Sequence, residues 1–433
     1  MNLDSISHRL FQLSFAALAL FIPFSIAGAN IAIGFGTLAW LLSALSARIG
    51  TAPAGQKRLE RTSVLRDPLL PASLLLIAAA LPSVFASQNL SRAIGDWGSY
   101  WLLLIYFLVA ANACAHRLRE TVLWILLAST SISCLVAFFQ RLGGIDWWFI
   151  HIGGKHRVES TLYTMTFAGI LYQVIILNLT MILYSRARAA GKAALGWAAL
   201  AIQFVAIILT VTRGAWVALF AGLVAVCLLL RNKTVLAVSA AAVAIVLVFA
   251  LVTVEDTDRY ISPTKLAHHI DIHAGTRLVL WDVAWELFKA HPVVGVGMGD
   301  YSIEADKLVG ERKVTTTTDT HNVYLQVLAT RGLIGFVPFV LFWIVVLRSL
   351  FRLKSRSPRG SLEWHYAVAA IGVTIAVLFG ALTENNVDDE EVFIAYLFIL
   401  GLASSAKYAA AARRRLPATG TGAPDTPGKH SPE

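Results

Sequence analysis

Charge is scarce in this chain: Asp, Glu, Lys and Arg make up 14% of its 433 residues, while hydrophobic residues make up 57%. That balance excludes a single soluble domain, because one core cannot hide so much apolar surface. Cysteine is scarcer still, at three residues, Cys114, Cys134 and Cys227. All three lie in or beside apolar runs, which argues against a disulfide framework and leaves them as small packing residues. Acidic side chains are outnumbered 26 to 36 by basic ones, giving a net charge of +10. The basic residues sit in short clusters between apolar runs, as orientation signals do, so no nucleic-acid partner is expected. A dinucleotide fingerprint is missing too, because the glycines of Gly295-Val296-Gly297-Met298-Gly299 have the wrong spacing and no strand unit surrounds them. They predict instead a turn that lets backbones approach closely.

What is present is a succession of apolar runs. A helical span needs roughly 20 apolar residues, and lipid-facing backbone must satisfy its own hydrogen bonds, so the fold class is an all-α polytopic membrane protein of about twelve helices. Spans are expected at about 10–27, 30–47, 68–86, 98–114, 121–139, 161–184, 194–211, 214–230, 234–252, 332–350, 365–383 and 392–409, with an uncleaved first helix. Four regions follow: nine spans over 1–252, a polar loop over 253–331, three spans over 332–409 and a Pro-, Gly- and Thr-rich tail, read as disordered, over 410–433. Basic residues concentrate on one side of this arrangement, as in Arg186, Arg188 and Lys192 or Arg348, Arg352, Lys354 and Arg356. Positive charge marks the cytoplasm, so both termini are expected inside and the long loop outside. Chemistry on that side has no ready ATP, and its substrate must arrive already activated and lipid-borne.

The long loop carries the chemistry-bearing residues. Thr276 can cap a helix whose apolar face is Leu278, Val279, Trp281, Trp285 and Phe288 and which must stop before Pro292. His268, His269 and His273 have helical spacing but lack the Glu of a hydrolytic zinc site, so a solvated helix is expected there and no metal. Asp388, Asp389, Glu390 and Glu391 read as an acidic rim. If Asp319 or Thr320 caps a helix, His321 falls in its first turn, where the dipole disfavours imidazolium and leaves the neutral form a general base needs. Tyr324, Leu328, Gly332 and Gly335 then share one face, provided the helix continues. The alternative, a break at Gly332, stays open.

Three arginines complete the set. Arg213 stands alone between two apolar runs, where a charge is costly and usually has a partner or ligand. Arg277 opens the predicted loop helix, whose N-terminus favours anions. Arg157 lies just before another span. Together they can hold a pyrophosphate bidentately and stabilise its charge as it leaves, or each can snorkel to lipid phosphate.

His321-Asn322, nine further residues, Gly332, two residues and Gly335 resemble the H-[NSQ]-x9-G-x-x-G pattern of O-antigen ligases. Trp285, His291-Pro292, Gly295, Gly297 and Tyr301 resemble the wider superfamily that also holds O-antigen polymerases and O-linked oligosaccharyltransferases. The resemblance implies a metal- and cofactor-independent glycosyltransferase of the membrane-embedded C type in the bacterial inner membrane. It would move a glycan from undecaprenyl pyrophosphate to the lipid A–core oligosaccharide, in contact with membrane lipids. By position it makes His321 the base, Arg213, Arg277 and Arg157 the pyrophosphate binders, and Asn322, Tyr324, Gly332 and Gly335 supporting residues. The stretch from Arg157 to Met165 lacks the Pro-Asn ending of some polymerases, which favours a ligase. From another class, a twelve-helix transporter would need ionisable residues buried mid-span, whereas here they gather at the outer ends.

Overall fold

The structure is a computed structural model that describes residues 3–49, 64–113, 115–143, 158, 160–186, 190–231, 237, 263–309 and 319–413. Its elements are α1 (Leu3–Phe21), α2 (Ile26–Arg48), α3 (Leu69–Ala86), α4 (Leu90–Gly98), a 3-10 turn (Ser99–Leu102), α5 (Leu103–Asn112), α6 (His116–Gly143), α7 (Thr164–Arg186), α8 (Ala190–Leu209) and α9 (Arg213–Leu230). After a gap come α10 (Pro263–Ala290), α11 (Tyr301–Val309), α12 (Val323–Arg356), α13 (Leu362–Gly380) and α14 (Glu390–Arg413). No strand occurs among the described residues. Nine helices there are long and apolar enough to cross a membrane, counting Leu90–Asn112 as one. α1 and α14 fall on two further expected spans, and the expected span at 234–252 lies outside the described residues. This is a multi-pass membrane protein.

α7 is the central helix, with 94% of its apolar window buried. A helix enclosed by protein can carry polar groups provided they are paired. Gln173 Nε2 donates to Gly169 O and Val392 O, both at 3.0 Å, and Asn178 Nδ2 donates to Gly196 O and Gln203 Oε1, both at 3.2 Å. α9 and α13 approach backbone to backbone, since a Cβ on Gly222 would come within 2.8 Å of Gly372 O. Helix starts follow the chain's polar punctuation: Ser25, Asn89 and Ser361 each accept a backbone N–H of the helix they open. At the opposite end of α3, Asp67 accepts from Tyr106 Oη at 2.9 Å and Tyr408 Oη at 2.6 Å, tying that end to α5 and α14.

Two elements differ from the sequence reading. α10 begins at Pro263, whose missing N–H is no loss in a first turn, so Thr276 is internal and Arg277 does not sit at a helix N-terminus. The face α10 buries is Leu280, Val283, Ala284 and Leu287, while Leu278 and Trp285 point outward, 59% and 46% exposed. The helix packs against α11 and α12, and a stripe at i, i+3, i+4 and i+7 meets them. α12 starts at Val323 and is broken at Gly332, where φ is 54° and ψ −161°.

Candidate active site

A broken helix in an apolar setting leaves backbone groups that need partners. Here the segment after α10 supplies them. Val296 N–H donates to Ala329 O at 2.9 Å and Gly297 N–H to Thr330 O at 3.2 Å. On the other side of the break, Leu333 N–H donates to Pro292 O at 2.9 Å and Ile334 N–H to Val293 O at 3.1 Å. Ser83 Oγ adds a 2.6 Å bond to Thr330 O from α3. This explains the alternate glycines: a Cβ on Gly295 would fall on the Thr330 backbone, and one on Gly332 on the Val293 backbone. Both residues also have positive φ, at 76° and 54°. Gly335 makes room for something else, the Arg331 side chain folding back across it.

The clamp fixes the first half of α12, and with it His321. Asn322, not Asp319 or Thr320, is the N-cap, accepting Leu325 N–H at 3.2 Å. His321 therefore precedes the helix, at a φ of 48° that is uncommon for a side chain of its size. Its neighbours hold it there. Asp319 Oδ1 accepts His321 N–H at 2.7 Å, Thr320 Oγ1 accepts Asn322 N–H at 3.0 Å, and Trp281 Nε1 of α10 donates to Thr320 O at 3.0 Å. Val323 N–H donates to Ala381 O at 2.9 Å and Tyr324 Oη to Leu378 O at 2.8 Å, docking this start onto the end of α13. Tyr324 thus supports the site through the scaffold rather than by facing it.

The turn after α13 brings in a residue that the sequence reading missed. Glu384, 13% exposed, accepts Arg277 Nη2 on Oε1 at 2.7 Å, and its Oε2 lies 3.6 Å from His321 Nδ1. Asp319 Oδ1 stands 3.4 Å from the same nitrogen. Two carboxylates near Nδ1 favour a proton there and leave the lone pair on Nε2, which has no partner among the described residues. The neighbouring Glu384 carboxylate raises the His321 pKa above its usual value, burial opposes this, Asp319 adds to it and Arg277 subtracts. That corrects the expectation of an imidazole kept neutral by a helix dipole, because His321 is outside the helix and beside carboxylates.

Of the arginines, Arg277 is 32% exposed and reaches the site through Glu384. Arg213 is exposed, makes no ion pair with a described residue and opens α9. The next residue, Gly214, packs on the same turn, its Cβ position lying against Thr383 Oγ1 and 3.6 Å from Glu384 Cγ. Arg157 lies outside the described residues, though Val158 N–H donates to Leu209 O at 3.3 Å, four residues before Arg213. His268, His269 and His273 are on α10, with side chains outside the described set. The acidic rim is engaged in the scaffold: Asp388 faces Arg331 at 3.6 Å, and Asp389 accepts Thr166 Oγ1 at 2.6 Å.

Residues 198–340 match the O-Antigen ligase family model. That segment, about a third of the chain, is similar to the O-antigen ligase family and supports a place for the chain in its superfamily. No curated protein matches it. The matched segment contains Arg213, Arg277, His321, Gly332 and Gly335, and so carries both the clamp and the histidine. It ends before Glu384, which the fold adds from the α13–α14 turn. Members of this superfamily are glycosyltransferase-like enzymes.

Proposed function

We propose that the protein is an O-antigen ligase, transferring O-antigen polysaccharide from undecaprenyl pyrophosphate to the lipid A–core oligosaccharide at the periplasmic face of the inner membrane. The observation that carries this is the meeting of the His321 imidazole and the Arg277 guanidinium on one carboxylate, beside the helix start bearing Arg213. A proton acceptor and two cations around one point are what an inverting displacement of a pyrophosphate requires.

In this reading His321 Nε2 takes the proton of an acceptor hydroxyl as its oxygen bonds to the anomeric carbon. The bond from that carbon to pyrophosphate oxygen breaks with its electron pair on the leaving group, where Arg213 and Arg277 meet the charge. The leaving group is already good, so holding two lipid-anchored substrates in line supplies much of the rate. The carboxylates on Nδ1 stabilise the imidazolium that forms. The polar loop 253–331 serves as the catalytic region, with the spans of 1–252 and 332–409 as its scaffold and 410–433 as a cytoplasmic tail.

The test is glycan transfer by purified protein. His321→Ala is expected to lower turnover by about 10²–10⁴-fold. Near-normal turnover would remove His321 from the chemistry. Supplying lipid A–core or a second lipid-linked repeat as acceptor separates ligation from polymerisation.

A further inference from the structure

Glu384 sits where two parts of the proposed mechanism compete for it. One oxygen is taken by Arg277 at 2.7 Å, a full charge-assisted hydrogen bond. The other is only 3.6 Å from His321 Nδ1, too long for one. In this arrangement the guanidinium that is to meet the leaving pyrophosphate is neutralised, and the base is incompletely held.

We propose that Glu384 is a positioning residue that couples donor binding to the base, releasing Arg277 to the incoming pyrophosphate and closing onto His321 Nδ1. This rests on the ligase reading above. A pyrophosphate oxygen offers Arg277 a partner of higher charge than one carboxylate, so the exchange follows the electrostatic gradient. Losing the guanidinium leaves the largely buried Glu384 less neutralised, and the adjacent imidazole is able to share its charge. Among the described residues three charged groups face the imidazole or its carboxylate partner: Asp319 on its own segment, Glu384 from the α13–α14 turn and Arg277 from α10, while the α9 start approaches Glu384 through Gly214. Among the described residues only Glu384 lies against both His321 and a proposed pyrophosphate ligand. Before the donor arrives, the acceptor hydroxyl therefore meets a base that is not yet aligned, which limits wasteful proton transfer.

The experiment follows His321 itself. In full-length protein in detergent, the rate of diethyl pyrocarbonate modification of His321 is mapped by mass spectrometry across pH, with and without farnesyl pyrophosphate as a donor-head probe. In wild type the probe is expected to move the midpoint upward by about one pH unit. In Glu384→Gln, which keeps the size but not the charge, only the smaller direct effect of the bound anion remains. Equal movement in both proteins, or none in wild type, overturns the proposal. In transfer assays Glu384→Gln is expected to lower kcat by about 10²-fold with donor KM changed less than about threefold, and Glu384→Asp to restore much of it. A donor KM effect as large as the kcat effect would make Glu384 a mere scaffold for Arg277. The modification assay needs no turnover, so it can succeed or fail independently of the ligase reading.

Discussion

The clamp over the α12 break makes a quantitative prediction about Gly295. Gly295→Ala puts a methyl group into a residue at φ 76° whose Cβ would fall on the Thr330 backbone. The left-handed conformation costs about 1–2 kcal/mol for a residue with a Cβ. The methyl must also push the turn off α12, breaking the Val296–Ala329 and Gly297–Thr330 bonds, each contributing about 1 kcal/mol. The sum is about 3–4 kcal/mol of local stability, or about 10²–10³ in the opening equilibrium. Hydrogen exchange of the peptide covering Val293 to Gly299 should accelerate by that factor, with Leu333 and Ile334 following because their partners lie on the same segment. Gly191→Ala is the control, at an open helical position with nothing near its Cβ. If exchange in Gly295→Ala stays within about threefold of wild type, the clamp does not hold the break closed.

Other perturbations test the neighbouring contacts. Trp281→Phe keeps the ring's bulk but removes the donor to Thr320 O, so turnover should fall while thermal stability changes by about 1 kcal/mol; a loss of stability without loss of turnover would detach α10 from the base. The raised His321 pKa fixes two pH dependences. The protonated form is favoured in the folded state, so this group's stabilisation is complete below about 6.5 and is lost as pH rises through the higher folded value. Melting temperature should therefore fall more steeply over that window in wild type than in His321→Gln. Turnover has the opposite sign, rising with pH as the base becomes neutral, and a flat profile would count against His321 as the proton acceptor. Arg213→Ala should raise donor KM more than acceptor KM, since no described residue pairs with it; an unchanged donor dependence would remove it from the phosphate site.

Much of this was legible in residue order because membrane insertion writes itself into composition. Apolar runs of span length located most helices, and the chain placed Pro292 and the alternate glycines where a close backbone approach was needed, which is how they are used against Thr330 and Val293. The break at Gly332 was one of two readings, and only the partner segment decided it: a glycine mid-helix is tolerated or broken according to whether something can take up the freed N–H and C=O groups. The start of α10 was misplaced by trusting a cap at Thr276, a local signal that loses to thirteen further residues of helix before it. Glu384 was invisible for a different reason. It sits among Glu384-Asn385-Asn386 and Asp388-Asp389, a stretch that reads as a polar rim, and its meaning depends on α13 ending beside α12 and α9. Periodicity reports which face of one helix is apolar, not which helix ends share a corner. His321 and Arg277 stood out because each is unusual in its own surroundings, whereas the carboxylate between them is ordinary until the fold sets it there.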